Sequence, residues 1–320
     1  MPKLYQGALA ALIVLSGAGC GGEVGGEEPS PRARSAELAD RPAFNGELAF
    51  ELLRTQVQFG PRVPGREGHR RQLEWMVSLL EELADTVIVQ PFSARLTTGD
   101  TLALTNLFAR FRPELDDRVL LLAHWDTRPR ADHDPDRGSR ERPLAGANDG
   151  ASGTAVLLAL AGLFAERPPP VGVDLLFTDG EDYGPSLDDM LLGARHFAAN
   201  LPDGYPPLYG VLLDMVGDRD PYFPVEGFSA EYAPEVVERV WGVAADLGYG
   251  SYFPTSRGPR ISDDHVPLNR AGVRTVNVID FEYGPGNRYW HTHADNLDNV
   301  GPRGLEVVGE VIAELIYRGG

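Results

Sequence analysis

Short apolar runs alternate along this chain with segments in which apolar residues recur at helical spacing. From residue 118 onward the alternation is regular, which predicts a mostly parallel central sheet covered by helices on both faces. We therefore expect an α/β fold in a single domain. The strand candidates lie at 86–92, 103–111, 118–124, 171–177, 209–215 and 274–279, and the helix candidates at 45–58, 69–83, 151–166, 191–199, 234–247 and 304–317.

The apolar run at 171–177 has the most informative ending, because it leads through Gly180 into the adjacent acids Glu181 and Asp182. A buried parallel strand with this ending delivers two carboxylates to one edge of the sheet. Neighbouring side chains point in different directions. One carboxylate can therefore bind a metal while the other stays free as a general base.

Other polar residues follow the ends of the predicted strands in the same way. His124 and Asp126 lie at the end of one strand, and Asp214 comes late in another. Asp149 directly precedes a helix, and His291 lies in the loop after the last strand. Ligands of parallel α/β sheets bind outside the carboxyl ends of the strands, so we expect these side chains to meet Glu181 and Asp182 at one edge.

Composition and charge narrow the partners and the metal chemistry. The 320 residues carry a formal net charge of −18, which argues against nucleic acid or an anionic membrane as a partner and favours a cationic ligand such as a free amino terminus. Cys20 is the only cysteine, so any metal must be held by His, Asp and Glu.

Imidazole and carboxylate ligands without sulfur suit zinc, and a catalytic zinc has three protein ligands and one open position. Asp149, Asp182 and His291 could provide the three ligands. Asp126, two residues after His124, is well placed to orient that imidazole. Asp214 could be a further ligand or a hydrogen-bond acceptor.

The amino-terminal region predicts export. Residues 1–19 have the apolar, small-residue character of a signal peptide. The sequence before Cys20 also resembles a lipoprotein processing site, so Cys20 is a candidate for lipidation, with a plain cleaved signal peptide as the alternative. Residues 20–42 are rich in Gly, Glu, Ser and Pro and predict a flexible tether to a catalytic domain at 43–320. We expect a periplasmic protein or a lipoprotein that contacts a membrane only through this anchor.

Several short motifs together resemble the zinc aminopeptidase superfamily. Within it, the chain is most similar to the bacterial glutaminyl-peptide cyclotransferases, or glutaminyl cyclases, from about Phe59 to its end. The residues 213–217, 263–267 and Trp290 favour the cyclases over the aminopeptidases. The motifs are His124-Trp125-Asp126, Gly146-Ala147-Asn148-Asp149-Gly150-Ala151-Ser152-Gly153, Gly180-Glu181-Asp182, Leu212-Leu213-Asp214-Met215-Val216-Gly217, Asp263-Asp264-His265-Val266-Pro267 and Trp290-His291-Thr292.

The resemblance implies a reaction as well as a ligand set. One zinc would be bound by three residues, and Glu181 would carry a proton from the substrate's α-amine to the departing ammonia. Peptides or proteins that begin with glutamine would be converted to pyroglutamyl products. Trp290 would flank the glutamine side chain, and Asp214 and Asp263 would form hydrogen bonds around Glu181. The implied zinc ligands are Asp149, Asp182 and His291.

Two departures from the animal cyclases concern the shape of the pocket. Animal members have glutamate at the ligand position occupied by Asp182, and an aspartate must bring its backbone closer to the metal. The segment 183–192 also lacks the tryptophan that lines the animal pocket. Asp263 or Asp264 could instead cap a helix.

Two other interpretations stay open. In a two-zinc aminopeptidase, His124 and Asp214 would bind a second zinc and Asp149 would bridge the pair. A non-catalytic surface-binding lipoprotein is the third interpretation, although such a protein would not require a free base at Glu181.

The remaining polar features have simpler interpretations. The segment 132–136 carries alternating aspartates but lacks the later residues of a calcium loop, so we expect a solvated loop beside the pocket. We expect His265 to be buried without binding metal. The histidines expected to be solvated or locally bonded are His69, His133, His196 and His293.

Overall fold

The computed structural model describes residues 38–202, 205 and 207–320 of the chain. The helices are Gly46–Gln58 (α1), Glu67–Leu83 (α2), Ala151–Glu166 (α3), Leu192–Ala199 (α4), Gly227–Tyr232 (α5), Pro234–Asp246 (α6), His265–Arg270 (α7) and Pro302–Tyr317 (α8). The strands are Thr86–Arg95 (β1), Thr101–Phe111 (β2), Arg118–His124 (β3), Gly172–Thr178 (β4), Tyr209–Asp214 (β5) and Thr275–Ile279 (β6).

The six strands form one sheet in the order β1-β2-β4-β3-β5-β6. Strands β4, β3, β5 and β6 run parallel, whereas β1 and β2 are antiparallel to their neighbours. The prediction of an α/β fold with a mostly parallel sheet is confirmed. Helices α5 and α7 were not predicted, because six residues are too few to show a helical period.

Both faces of the parallel part of the sheet are covered, so its strands are continuously apolar. On β3, Leu121 packs into a large core that includes residues of α1, α3 and α8. Its neighbour Leu120 points to the opposite face and joins a smaller core with Phe197 of α4 and Leu268 of α7. Every residue of β3 and β4 is buried as a result.

The parallel register brings the carboxyl ends of the central strands to one edge. His124 at the end of β3 is paired with Thr178 at the end of β4, and Asp214 at the end of β5 with Ile279 at the end of β6. Helix α3 starts at the same edge, after Gly150 at φ +96°, where a Cβ would lie 2.3 Å from the backbone oxygen of Asp126. A glycine is therefore required at the turn that presents Asp149.

The chain is already fixed before the predicted start of the domain at residue 43. The guanidinium of Arg41 pairs with Glu310 at 2.5 Å and with Glu314 at 2.7 Å, both on α8. At the carboxyl end of the predicted tether 20–42, Arg41 is thus held against α8 by two carboxylates. The signal peptide, Cys20 and the rest of the tether lie outside the described residues.

Among the residues that the structure describes, no helix combines the length and the apolar character needed to cross a membrane.

Candidate active site

Five predicted site residues from separate segments meet at the carboxyl edge of the sheet. They form two groups that share Asp149, and within each group the candidate ligand atoms all lie within 4.8 Å of one another. All five side chains are buried. The first group is Asp149, Asp182 and His291, and the second is His124, Asp149 and Asp214.

The first group matches the predicted zinc ligands and has the spacing of a metal site. His291 Nε2 lies 3.3 Å from Asp182 Oδ1 and 3.5 Å from Asp149 Oδ2. A tetrahedral zinc with bonds of about 2.0 Å separates its ligand atoms by about 3.3 Å. Asp182 Oδ2 is buried and has no hydrogen-bond partner among the described residues. The donor set and this unmatched acceptor both fit a bound cation.

The second group has the same spacing around His124. His124 Nε2 lies 3.2 Å from Asp149 Oδ1 and 3.2 Å from Asp214 Oδ1. Asp149 therefore presents one oxygen to each group, as a carboxylate that bridges two metals would. The ligand positions of both the one-zinc and the two-zinc interpretations are present in this arrangement.

The two histidines and the shared aspartate perturb one another strongly. Burial acts to lower the pKa of His291, but Asp182 and Asp149 outweigh it and raise that pKa to about 9. Burial acts to raise the pKa of Asp149, yet His124 and His291 hold it below its ordinary value. Asp149 is thus kept ionised, as a metal ligand must be.

Asp126 has a further role beside the one predicted. Its Oδ1 accepts a hydrogen bond from the backbone N–H of Glu181 at 3.1 Å, and its Oδ2 accepts one from the N–H of Asp182 at 3.3 Å. The predicted contact is longer, with His124 Nδ1 at 3.5 Å from Oδ1. Asp126 chiefly fixes the backbone that carries the two adjacent acids.

Glu181 lies beside the proposed zinc ligands without belonging to either group of candidate ligands. Its Oε2 is 3.9 Å from His124 Nδ1. Burial raises the pKa of Glu181 well above the ordinary value, His124 opposes this rise, and Asp263 adds to it. A buried carboxylate with a raised pKa beside candidate metal ligands is a candidate for proton transfer.

Asp263 is held rigidly behind the site. Its Oδ1 accepts from the backbone N–H of Asp264 at 2.6 Å, and its Oδ2 accepts from Asn277 Nδ2 at 2.6 Å. Burial, with a contribution from Asp214, raises the pKa of Asp263 to about 7. Asp264 stands at the N-cap position of α7 but makes no side-chain cap. Its carboxylate is bonded to the hydroxyl of Thr178 instead.

A small cavity of about 50 Å³ opens between these groups. The Trp290 ring stacks on His291 with 3.8 Å between ring centroids, so it forms one wall beside a candidate ligand. Sequence reasoning missed Met190, which lines the cavity from the segment 183–192. The other lining residues are Asp149, Glu181, Asp182, Asp214, Met215, Ile261, Ser262, Asp263, Ile279, Phe281 and His291.

Two of the four histidines expected to be solvated or locally bonded contact carboxylates that are distant in the sequence. His69 is buried, with Nε2 at 3.0 Å from both carboxylate oxygens of Asp179. His293 Nδ1 lies 2.7 Å from Asp134 Oδ2. The solvated loop predicted at 132–136 is also wrong at Asp134, which is 6% exposed. His265 is buried as expected, beside Glu226.

Comparison with known proteins finds a peptidase family and several glutaminyl cyclases that resemble this chain. A family model described as peptidase family M28 matches residues 106–316. The structure resembles a glutaminyl cyclase of Bacteroides thetaiotaomicron bound to N-acetylhistamine, with 37% identity, a TM-score of 0.84, and coverage of 88% of this chain and 100% of that one.

Of two further relatives, one is named as an aminopeptidase and the other as a cyclotransferase. A leucine aminopeptidase precursor from the same species is 36% identical with a TM-score of 0.85, over 88% of this chain and 100% of that one. The glutaminyl-peptide cyclotransferase of Bos taurus is 27% identical over 285 residues, which cover 78% of this chain and 76% of that protein. The resemblance to the glutaminyl cyclases is confirmed.

Proposed function

Because this chain belongs to peptidase family M28, we propose that it is a zinc-dependent glutaminyl-peptide cyclotransferase, acting on peptides or proteins that begin with glutamine. The observation that carries the proposal is the small cavity next to the Asp149–Asp182–His291 group, with Trp290 as one wall. Two acids that belong to neither group of candidate ligands, Glu181 and Asp263, line the same cavity.

Asp149, Asp182 and His291 would hold the zinc ion. Bound there, zinc would supply Lewis-acid polarisation of the glutamine side-chain carbonyl. Their spacing and the unpartnered Asp182 Oδ2 support this assignment. The remaining work belongs to the side chains of the chain itself.

Glu181 moves the proton that the reaction must relocate. The substrate's α-nitrogen bonds to its own side-chain amide carbon, and the bond from that carbon to the amide nitrogen breaks. Glu181 takes a proton from the α-amine and returns it to the departing nitrogen, which leaves as ammonia. Burial raises the pKa of Glu181 above the ordinary carboxylate value, which makes it a stronger proton acceptor.

Asp263, Asp214 and Trp290 define the surroundings of this proton transfer. Asp263 is fixed by a hydrogen bond from Asn277. Its negative charge repels that of Glu181 and helps to raise the pKa of Glu181. Asp214 is hydrogen-bonded to His124 and thereby linked to the shared ligand Asp149. Trp290 offers an apolar face to the substrate side chain and keeps the His291 ring in place.

Zinc reconstitution tests this proposal. We expect metal-free protein to release no ammonia from a glutamine-first peptide, and activity to rise to its maximum with one equivalent of zinc. Ammonia release that reaches its maximum only at two equivalents would reject the one-zinc assignment, and the second ion would lie between His124, Asp149 and Asp214. No activity at any zinc level would reject the cyclotransferase.

We also propose where the rest of the peptide lies. A second cavity of about 300 Å³ shares Ile261, Ile279 and Phe281 with the catalytic cavity. It can receive the residues that follow the terminal glutamine. Three carboxylates and a single arginine line it, so a basic side chain should be favoured over an acidic one. These charged residues are Glu226, Arg257, Asp280 and Glu282.

Peptides that differ only in their second residue test this path. We expect kcat/KM for a Gln-Lys peptide to exceed that for a Gln-Glu peptide by about 5-fold at low salt. This ratio corresponds to a difference of about 1 kcal/mol between the two peptides in their interaction with the carboxylates, which is the energy of two unit charges about 4 Å apart in water. Glu282→Gln should lower the ratio of kcat/KM for the Gln-Lys peptide to kcat/KM for the Gln-Glu peptide. The control Glu238→Gln, at an exposed position of α6, should leave that ratio unchanged. An equal ratio in both variants would exclude this cavity as the path.

A further inference from the structure

The segment 128–134, here termed the brace, contacts the neighbourhoods of two of the three proposed zinc ligands. We propose that the brace holds Asp182 and His291 in ligand geometry, with Arg128 and Asp134 as positioning residues that determine how tightly zinc is retained. This inference rests on the zinc centre proposed above. It gives a role to residues 132–134, which the sequence suggested belong to a solvated loop.

Arg128 forms the end of the brace that fixes Asp182. Its Nη1 donates to Asp182 Oδ1 at 2.6 Å. On its other side, Nε and Nη2 donate to Asp132 Oδ2 at 2.9 and 2.5 Å. The guanidinium is only 4% exposed. Charge-assisted hydrogen bonds of this kind restrict an aspartate rotamer strongly, and Asp182 Oδ2 remains without a partner.

The backbone around Asp182 is shaped to meet this guanidinium. Gly184 has φ +52°, and a Cβ there would lie 2.6 Å from Arg128 Nη1. Only glycine allows the chain to pass so close to the arginine. The close approach of this loop lets the Arg128 guanidinium fix the position of the Asp182 carboxylate.

The other end of the brace fixes His291. This residue has φ +56°, a left-handed conformation that is unfavourable for a non-glycine residue and persists only when its surroundings hold it. The backbone N–H of His133 donates to the backbone oxygen of His291 at 3.1 Å. Asp134 Oδ2 accepts from the backbone N–H and Nδ1 of His293, at 3.0 and 2.7 Å. Hydrogen bonds thus hold the chain at His291 and two residues beyond it.

The two ligands that the brace joins come from separate loops. Asp182 follows β4 and His291 follows β6, and β3 and β5 separate these strands in the sheet. A segment that bonds both loops fixes the distance between their ligand atoms. Partners behind metal ligands typically change metal affinity 10- to 100-fold when they are removed. Loss of either end of the brace should therefore weaken zinc binding although all three ligands remain.

The test is a zinc-affinity measurement on the full chain, by competition with a chelating dye. Arg128→Met and Asp134→Ala are expected to bind zinc about 10- to 100-fold more weakly than the unmodified protein. Arg128→Lys, which keeps the charge but cannot bond both aspartates through one planar fork, should lie between. The matched controls are Arg54→Met, whose guanidinium is exposed on α1 beside Glu51, and Asp136→Ala, whose carboxylate accepts hydrogen bonds from Gly138 and Ser139 of its own loop.

Thermal unfolding of the metal-free proteins separates a loss of ligand geometry from a loss of fold. We expect the metal-free variants to unfold as cooperatively as the unmodified chain, and cyclase activity to return at excess zinc. Unchanged zinc affinity in both variants would overturn the brace while leaving the zinc centre intact. An unmodified protein that binds no zinc would instead reject the centre, and the brace with it.

Discussion

Glu181→Gln is expected to lower the rate of pyroglutamate formation by about 10²- to 10⁴-fold while zinc stays bound, because the change removes a proton-transferring group and nothing else. Glutamine has the same shape as glutamate, so the cavity keeps its size. Burial and Asp263 already disfavour the charged form of Glu181. A neutral side chain should therefore leave the free energy of unfolding little changed or slightly improved.

Three measurements on this variant make the prediction sharp. Ammonia release reports the reaction, metal analysis reports zinc, and thermal unfolding reports the fold. Glu306→Gln, on the outer side of α8 where it pairs with Arg303, is a suitable control and should keep full activity. A Glu181→Gln protein as fast as the unmodified chain would assign the base to another residue.

His291→Ala is expected to lose zinc, with a fall in affinity of more than about 100-fold, since a direct ligand contributes more than the partners behind it. Its imidazole is the nitrogen ligand of the proposed site and contacts both Asp149 and Asp182. Removing it leaves two carboxylates, which bind zinc less selectively. Activity should disappear together with the metal and return only at high zinc.

Metal content after dialysis against a chelator measures this loss. His196→Ala is the matched control, because that ring is exposed to one side and stacks on Phe92, away from the cavity. Full zinc occupancy in His291→Ala would refute the assignment of this ligand. The Glu181 and His291 variants together separate the loss of proton transfer from the loss of metal.

The sequence was sufficient to predict that these side chains meet, because parallel strands end at a common edge of the sheet. His124, Glu181, Asp182 and Asp214 each follow an apolar run, and the topology of the sheet alone brings such residues together. Asp149 was identifiable from the glycine-rich turn before α3. The strand ends thus carried most of the information about the metal ligands.

The contacts between loops could not be predicted, since they follow no period. Arg128, Asp134 and Met190 lie in irregular segments whose partners are far away in the chain. The burial of His69 against Asp179 depends on how α2 packs over the sheet. A histidine or arginine in a polar stretch has the same local sequence whether it faces solvent or a buried carboxylate.

The number of metal ions also could not be predicted from sequence patterns, for a physical reason. The five ligands of a two-metal site and the three ligands of a one-metal site belong to the same strand ends. In the structure, Asp149 directs one oxygen to each group. The same set of side chains can therefore hold one metal ion or two. The reaction, rather than the ligand set, distinguishes the two enzymes.

The most direct test of the central claim is a mass-spectrometric assay of the purified protein with zinc and two peptides. One peptide begins with glutamine and the other with leucine. We predict that the first loses the mass of one ammonia and the second stays unchanged. Release of free leucine from the second peptide, with the first not cyclised, would contradict the cyclotransferase and make this protein an aminopeptidase in which His124 and Asp214 bind a second zinc.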